Sequence, residues 1–271
     1  MAIAQINGIS LFYEEKGNPT SDKVVLFLNG VMASTSSWSF QIPVFEKLGF
    51  RIVLQDFRGQ LKSDKPQGPY TFKQHACDTI ALMDLLHIDK AHLIGTSYGG
   101  EVAMRLAIDH PTRIQSIAVI DSVSELDTVL SAFVYGWIDA AKSNDGERFF
   151  KLMMPSIYSD TFIRNNQDML SRRTQAMKST APSYFEGQIT LYETFLKDVT
   201  MTSELKNISC PTLVVCGEND ILKPRKFSQI IVDEIKNAEY LIIPDCGHVT
   251  IFEKPDVLNS ALLGFVLKQG V

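Results

Sequence analysis

The sequence predicts an α/β fold, with a mostly parallel eight-stranded sheet flanked by helices and an inserted helical region. Three observations support this prediction. Short apolar segments of strand character alternate with amphipathic helical segments over residues 24–122 and again from residue 206 onward, and such alternation is typical of a parallel sheet. Residues 123–205 contain helical patterns instead of strands. The chain has 271 residues, 45% of them hydrophobic, which is enough to bury one large core.

The strands follow one another at regular spacing. Residues 2–16 are predicted to form a hairpin that turns at Asn7-Gly8. The other strands are predicted at residues 24–28, 51–55, 91–94, 117–120, 211–216 and 239–243. Several of these are continuous apolar runs, as expected of strands that are covered on both faces of the sheet.

Helices are predicted between these strands and after the last one. Their ranges are 41–48, 72–87, 101–108, 225–236 and 255–268. Thr71 is the expected N-cap of the second helix. That helix is expected to turn an apolar stripe to the core, formed by Cys77, Ile80, Ala81 and Leu85.

The inserted region is predicted to be a helical cap on a single core. Its helices are expected at residues 126–142, 147–154, 160–177 and 183–196, so the core comprises residues 1–122 and 206–271. The insertion holds 11 of the 26 aromatic residues in 83 of the 271 positions, and this surplus indicates that some of them cover an apolar pocket. The residues expected to line that pocket are Gly30, Met32, Phe133, Trp137, Met153 and Val249.

Composition excludes several classes of function. The net charge is −5 and no basic block is present, which argues against nucleic-acid binding. No apolar run reaches the ~20 residues that span a bilayer, and the N-terminus lacks the features of a secretory signal. The four cysteines are scattered and the histidines lack metal-ligand spacing, which indicates buried free thiols and no metal site. We therefore expect a cytoplasmic protein without a membrane partner; a homodimer is compatible with this composition.

A G-x-S-x-G motif at residues 95–99 marks the candidate nucleophile. It lies between a predicted strand and a predicted helix, the context in which this motif forms a nucleophile elbow. Ser97 would then stand exposed above the sheet, at the positive end of the helix. Glu101, in the first turn of the same helix, is interpreted as a carboxylate that the helix dipole favours.

Two further candidates follow later strands. Asp220 and His248 stand just after the predicted strands 211–216 and 239–243, and the ends of parallel strands meet at one edge of a sheet. Serine needs an imidazole to accept its proton, and the imidazole needs a carboxylate to hold its other nitrogen. Asp121, which also follows a strand, is a rival for the carboxylate, although Asp220 is favoured.

These motifs resemble the α/β-hydrolase superfamily, in its capped branch of esterases, lactonases and carbon–carbon-bond hydrolases, over essentially the whole chain. The resemblance implies an oxyanion hole formed by the backbone N–H groups of Val31 and Tyr98. Two positions depart from the family pattern, because Asn29 and Gln60 stand where relatives commonly have histidine. The segments that carry the resemblance are residues 28–30, 56–63, 95–100, 217–224, 247–248 and 252–255.

The resemblance implies a serine hydrolase that needs neither cofactor nor metal. The expected substrate is a small-molecule carboxylic ester or lactone with a small-to-medium apolar group, cleaved through an acyl-enzyme on Ser97. The same three residues also serve carbon–carbon-bond hydrolases and cofactor-free perhydrolases, so that enzyme class is an alternative. A third alternative is a ligand sensor or signalling protein with weak hydrolase activity, because the fold hosts many functions.

Overall fold

The sheet is built from eight strands within residues 1–270, the part of the chain that the computed structural model describes. They are β1 (Ala2–Ile6), β2 (Ile9–Gly17), β3 (Val24–Leu28), β4 (Arg51–Gln55), β5 (Ala91–Thr96), β6 (Ile114–Ile120), β7 (Thr212–Gly217) and β8 (Glu239–Ile243). Their order across the sheet is β1-β2-β4-β3-β5-β6-β7-β8. Strand β2 pairs antiparallel with β1 and β4, and all other neighbours are parallel. The predicted fold class is confirmed.

Helices cover the sheet and form the insertion. Those of the core are α1 (Ile42–Glu46), α2 (Phe72–Leu85), α3 (Tyr98–Asp109), α9 (Arg225–Glu234), α10 (Thr250–Glu253) and α11 (Pro255–Leu267). Between β6 and β7 lie α4 (Thr128–Lys142), α5 (Gly146–Ile157), α6 (Asp160–Asn165), α7 (Gln167–Met177) and α8 (Pro182–Asp198). Within residues 1–270, none of the helices is long and apolar enough to cross a membrane.

Strand β3 shows why the sheet is buried on both faces. Its five residues are all buried, and alternate side chains enter two different hydrophobic clusters. Leu26 packs on the side of α2 and α3, whereas Phe27 packs on the opposite side against Trp38 and Phe45, with ring centroids 4.7 and 5.6 Å apart. The period of two along the strand thus supplies apolar surface to both helical layers.

Helix α2 begins as predicted but buries a different face. Thr71 accepts a hydrogen bond from the Gln74 N–H and the Gln74 side chain accepts one from the Thr71 N–H, which forms a capping box. The predicted stripe was wrong in that Cys77 and Leu85 are exposed. The buried face includes polar side chains that have buried partners, such as Asp78, which forms a bidentate ion pair with Arg58 at 2.6 and 2.8 Å. Apolar periodicity alone cannot find a face of that kind.

Two other local predictions need correction. The range 160–177, predicted as one helix, is split into α6 and α7 at Asn166, whose side chain donates to the Phe162 carbonyl and competes with regular helix bonding. The four cysteines are free thiols, but only Cys216 and Cys246 are buried. No group of three or more metal-ligating side chains is found within residues 1–270.

Candidate active site

A cavity lies where the inserted helices cover the ends of the central strands. Side chains from α4, α5 and α8 face the loops that follow β3, β5, β7 and β8 across it. Five of the six residues expected from the sequence line this cavity, namely Gly30, Met32, Trp137, Met153 and Val249. Phe133 instead packs half-buried against the core, because Leu130, Val134 and Trp137 form the face of α4 that borders the cavity.

Ser97 occupies a sharp turn between β5 and α3. Its backbone has φ 51° and ψ −120°, a conformation that L residues rarely adopt and that strain-bearing functional turns often use. The turn needs glycine on both sides. A Cβ at Gly95 would lie 2.3 Å from the Gly99 carbonyl oxygen, and one at Gly99 would lie 2.0 Å from the Leu28 carbonyl oxygen.

The structure brings Ser97, His248 and Asp220 into one hydrogen-bonded row. The imidazole Nε2 of His248 is 3.0 Å from Ser97 Oγ, and its Nδ1 is 2.7 Å from Asp220 Oδ2. The other oxygen of Asp220 accepts the backbone N–H groups of Leu222 and Lys223, each at 2.9 Å. Asp220 and His248 are buried, and Ser97 is half-buried where it borders the cavity.

Asp121 lies nearby but is engaged elsewhere. One of its oxygens accepts the Gly217 N–H at 3.0 Å, and the other accepts the Thr250 hydroxyl at 2.9 Å. Burial, and then the charge of Asp220, raise the pKa of the Asp121 carboxyl. The carboxylate that contacts the imidazole is therefore Asp220.

The pKa of the His248 imidazole is set by opposing influences. Burial lowers the pKa of its imidazole, but the charge of Asp220 and its hydrogen bond to Nδ1 raise it, and the net pKa lies above the ordinary 6.5. If His248 accepts the proton of Ser97, only its neutral form is active, so kcat/KM falls as pH drops through that pKa. We expect the acidic limb of the pH profile for p-nitrophenyl butyrate to lie above pH 6.5, the ordinary pKa of a histidine, because the pKa of His248 is raised.

The Asp220→Asn variant checks this assignment, because it removes the charge that raises the pKa of His248. Its residual activity should show an acidic limb at lower pH than the wild-type enzyme. An acidic limb that stays in place would mean that another group controls the profile.

The loop after β3 borders the cavity beside Ser97. The Gly30 carbonyl accepts the Gln60 amide at 2.8 Å, and the Val31 carbonyl accepts the Gln188 amide at 3.1 Å. Because a trans peptide directs its N–H away from its C=O, the first bond orients the Val31 N–H. Tyr98 is the first residue of α3, where backbone N–H groups have no acceptor within the helix.

Asn29 and Gln60, the two departures from the family pattern, are in direct contact. The Asn29 amide donates to Gln60 Oε1 at 3.3 Å, and Asn29 Oδ1 accepts the Trp38 indole N–H at 2.9 Å. The same Gln60 oxygen accepts the Phe57 N–H at 2.9 Å. Asn29 and Gln60 thus form one network of amide hydrogen bonds that holds the loop at Gly30 in place.

The structure also reveals charged residues that the sequence patterns did not single out. Lys223 lines the cavity, and its ammonium is 3.2 Å from Ser97 Oγ and 2.8 Å from Glu101 Oε1. The interpretation of Glu101 as a simple helix-end carboxylate is thus incomplete, since it is fully buried and pairs with Lys223. The nearest signal in the sequence was the position of Lys223, three residues after Asp220.

Arg173 is the other cation of the cavity lining. Its guanidinium donates to the Tyr158 hydroxyl at 2.9 Å and lies over the rings of Phe150 and Phe252, 5.5 and 5.7 Å from their centroids. Most of the remaining lining is aromatic or aliphatic. The cavity therefore combines an apolar wall with two fixed cations.

Comparisons with known proteins agree with this architecture. Residues 23–255 match a sequence family described as alpha/beta hydrolase fold. RutD of Caulobacter sp. (strain K31), provisionally named a carbamate hydrolase, is 26% identical over 260 residues, which is 94% of this chain and 95% of that protein.

Two solved structures are also similar. The alpha/beta hydrolase MGS-M2 from a Medee basin deep-sea metagenome library superposes with a TM-score of 0.93 at 28% identity, over 97% of this chain and 96% of the other. Est816, described as an N-acyl homoserine lactone degrading enzyme, superposes with a TM-score of 0.79 at 27% identity, over 97% and 99% of the two chains.

Proposed function

The chain belongs to the α/β-hydrolase superfamily, and on that premise we propose that it is a serine hydrolase of carboxylic esters or lactones. The observation that carries the proposal is the row of Ser97, His248 and Asp220 at 3.0 and 2.7 Å, facing an apolar cavity. We further propose that residues 123–205 act as a cap that selects the substrate, because α4, α5 and α8 supply one wall of the cavity.

The proposed reaction proceeds through an acyl-enzyme. His248 takes the proton of Ser97 as Oγ attacks the substrate carbonyl, and Asp220 holds the imidazole and stabilises its charged form. The N–H groups of Val31 and Tyr98 receive the oxyanion, each worth about 3 kcal/mol of transition-state stabilisation when aligned. His248 then returns the proton to the leaving oxygen, and water releases the acyl group in a second round.

The lining of the cavity supports small-to-medium apolar substrates. Leu130, Val134, Trp137 and Met153 of the cap face the strand ends across the cavity, and apolar walls with few polar groups are typical of sites for small ligands. The activity in the name of Est816 adds support for a lactone as the substrate.

Hydrolysis of p-nitrophenyl acetate, butyrate and octanoate tests this proposal. We expect kcat/KM to rise from acetate to butyrate, because a longer acyl chain covers more of the apolar lining of the cavity, and octanoate measures how long an acyl chain the cavity accepts. An aliphatic lactone series of matched ring size then separates lactonase from esterase preference. Turnover confined to highly charged esters, or no turnover by folded protein, would contradict the proposal.

Gln60→Leu is expected to lower kcat with little change in KM. Without the amide that holds the Gly30 carbonyl, the Val31 N–H loses its alignment to the oxyanion, and small misplacements in a reacting geometry cost about 10- to 10²-fold. Steady-state kinetics on p-nitrophenyl butyrate measure the effect. Gln229→Leu, which alters an exposed side chain paired with Asp233 on α9, is the matched control and should leave kcat unchanged. Equal kcat values for both variants would show that Gln60 does not align the Val31 N–H for catalysis.

A further inference from the structure

A buried ion pair lies directly beside the Ser97 hydroxyl. The Lys223 side chain is 4% exposed and that of Glu101 is 0% exposed, with 2.8 Å between Nζ and Oε1. The same ammonium is 3.2 Å from Ser97 Oγ and 4.8 Å from the centroid of the Phe195 ring. A cationic donor thus reaches the oxygen that also faces His248.

We propose that Lys223 is a catalytic residue of acyl transfer and that Glu101 positions it, an inference that rests on the proposed function. The Lys223 ammonium donates a hydrogen bond to Ser97 Oγ and stabilises the negative charge that this atom carries when it attacks and when it leaves. Such charge-assisted hydrogen bonds are stronger than neutral ones, most of all away from water.

The inventory of donors and acceptors supports this direction. A serine hydroxyl has one proton to donate and two lone pairs, whereas an ammonium can only donate. Ser97 therefore gives its proton to His248 Nε2 at 3.0 Å and accepts from Lys223 Nζ at 3.2 Å. Both contacts can persist while the proton moves, because they use different sites on the oxygen.

Glu101 allows a cation to stand at this place. A lone ammonium would be costly to bury and would repel the imidazolium that forms on His248. Glu101 Oε1 accepts both Lys223 Nζ and the Val123 N–H, the latter at 2.9 Å. The pair is neutral as a whole, but its positive end points at Ser97.

The pair is poorly built for a purely stabilising role. Glu101 Oε2 is buried and has no hydrogen-bond partner within residues 1–270, and burial raises the pKa of the Glu101 carboxyl despite the opposing charge of Lys223. Buried ion pairs with unsatisfied atoms add little net stability and are often matched by apolar side chains. The free-energy cost of burying this ion pair is therefore better explained by a role in the chemistry of Ser97 than by a role in stability.

The proposed step balances without any further reactant. The Ser97 proton passes to His248 Nε2, Oγ bonds to the carbonyl carbon, and the carbonyl pair of electrons moves to the oxyanion. Collapse breaks the bond to the leaving oxygen, which takes the proton from His248. In deacylation, water gives a proton to His248 Nε2 as its oxygen bonds to the acyl carbon, and Oγ then leaves and takes that proton from His248, while Lys223 keeps its three protons throughout.

The test compares Lys223→Met, Glu101→Gln and the double variant Lys223→Met/Glu101→Gln with the wild-type enzyme. Pre-steady-state release of p-nitrophenol from p-nitrophenyl butyrate reports acylation, and steady-state turnover reports the complete cycle. The rate at which a fluorophosphonate labels Ser97 reports the nucleophile independently of turnover. Lys226→Met, an exposed lysine on α9 paired with Asp127, is the matched control.

We expect Lys223→Met to slow acylation and labelling on the order of 10²-fold, the usual loss for one donor to a developing oxyanion. The double variant should stay slow, although its melting temperature should exceed that of Lys223→Met because no buried charge is left unpaired. Glu101→Gln should lose less of the acylation rate, since its amide oxygen still accepts from Lys223.

The pH profile gives a second readout. His248 faces the charged groups of Asp220, Asp121, Glu101 and Lys223, and the Lys223 cation lowers the pKa of the imidazole. Lys223→Met should therefore move the acidic limb to higher pH.

Wild-type rates in a folded Lys223→Met variant would overturn the proposal, and so would recovery of the rate in the double variant, since the pair would then be only structural. Both outcomes leave the proposed function intact, because they require an active wild-type enzyme. A folded wild-type protein that neither hydrolyses the ester nor is labelled at Ser97 would instead refute the proposed function, and the role of Lys223 with it.

Discussion

Ser97→Ala is expected to lower turnover of p-nitrophenyl butyrate by about 10⁴-fold or more, to the residual rate that the proposed oxyanion donors and substrate binding alone support. The loss should be this large because the hydroxyl is the protein group that bonds to the substrate carbon in the proposed reaction. Removal of one member of such a row disables the others, so the effect should not add to that of a second variant at His248.

The control for this variant is Ser260→Ala, an exposed serine on α11 whose hydroxyl donates to the Asp256 carbonyl. It should retain wild-type turnover. Ser97→Ala should keep the wild-type melting temperature, because alanine tolerates the backbone at φ 51° no worse than serine. Substantial turnover by a well-folded Ser97→Ala would mean that the chemistry takes place elsewhere.

Asp220→Asn is expected to cost about 10³- to 10⁴-fold in kcat. The amide keeps the shape of the carboxylate but presents a donor or a neutral oxygen to His248 Nδ1, which lies 2.7 Å away. The imidazole then loses both its preferred tautomer and the charge that stabilises its protonated form. Steady-state kinetics at a pH above the acidic limb separate this loss from a simple shift in pKa.

Asp121→Asn provides the comparison that decides between the two aspartates. Asp121 accepts hydrogen bonds from Gly217 and Thr250, and these bonds do not involve the imidazole. The variant should therefore lower the free energy of unfolding by about 1–3 kcal/mol, because buried polar groups lose their partners. Its kcat should fall far less than that of Asp220→Asn. The reverse order of the two effects on kcat would assign the carboxylate role to Asp121.

Much of the architecture follows from local patterns in the chain. The apolar runs of the central strands and the G-x-S-x-G turn predict where chain segments meet, since parallel strands place their ends at one edge. For that reason the positions of Ser97, Asp220 and His248 could be anticipated although they are far apart in the sequence. The two faces of β3 then follow from the alternation of side chains along the strand.

Other features depend on contacts between distant segments and have no local signature. The buried face of α2 is set by polar partners such as Arg58 and Asp78, which a hydrophobic pattern assigns to solvent. Phe133 and Trp137 lie on the same helix, and only the packing of α4 decides which of them borders the cavity. Lys223 and Glu101 resemble surface charges in sequence and become a buried pair only when the loop after β7 meets the start of α3.

The most direct measurement of the central claim is mass spectrometry of the enzyme quenched during turnover of p-nitrophenyl butyrate. Peptide mapping should locate a butyryl group on Ser97, formed and lost at rates that match the burst and the steady state, and absent from Ser97→Ala. Turnover without a covalent acyl group, or with that group on another residue, would contradict the proposal that this protein is a serine hydrolase acting through Ser97.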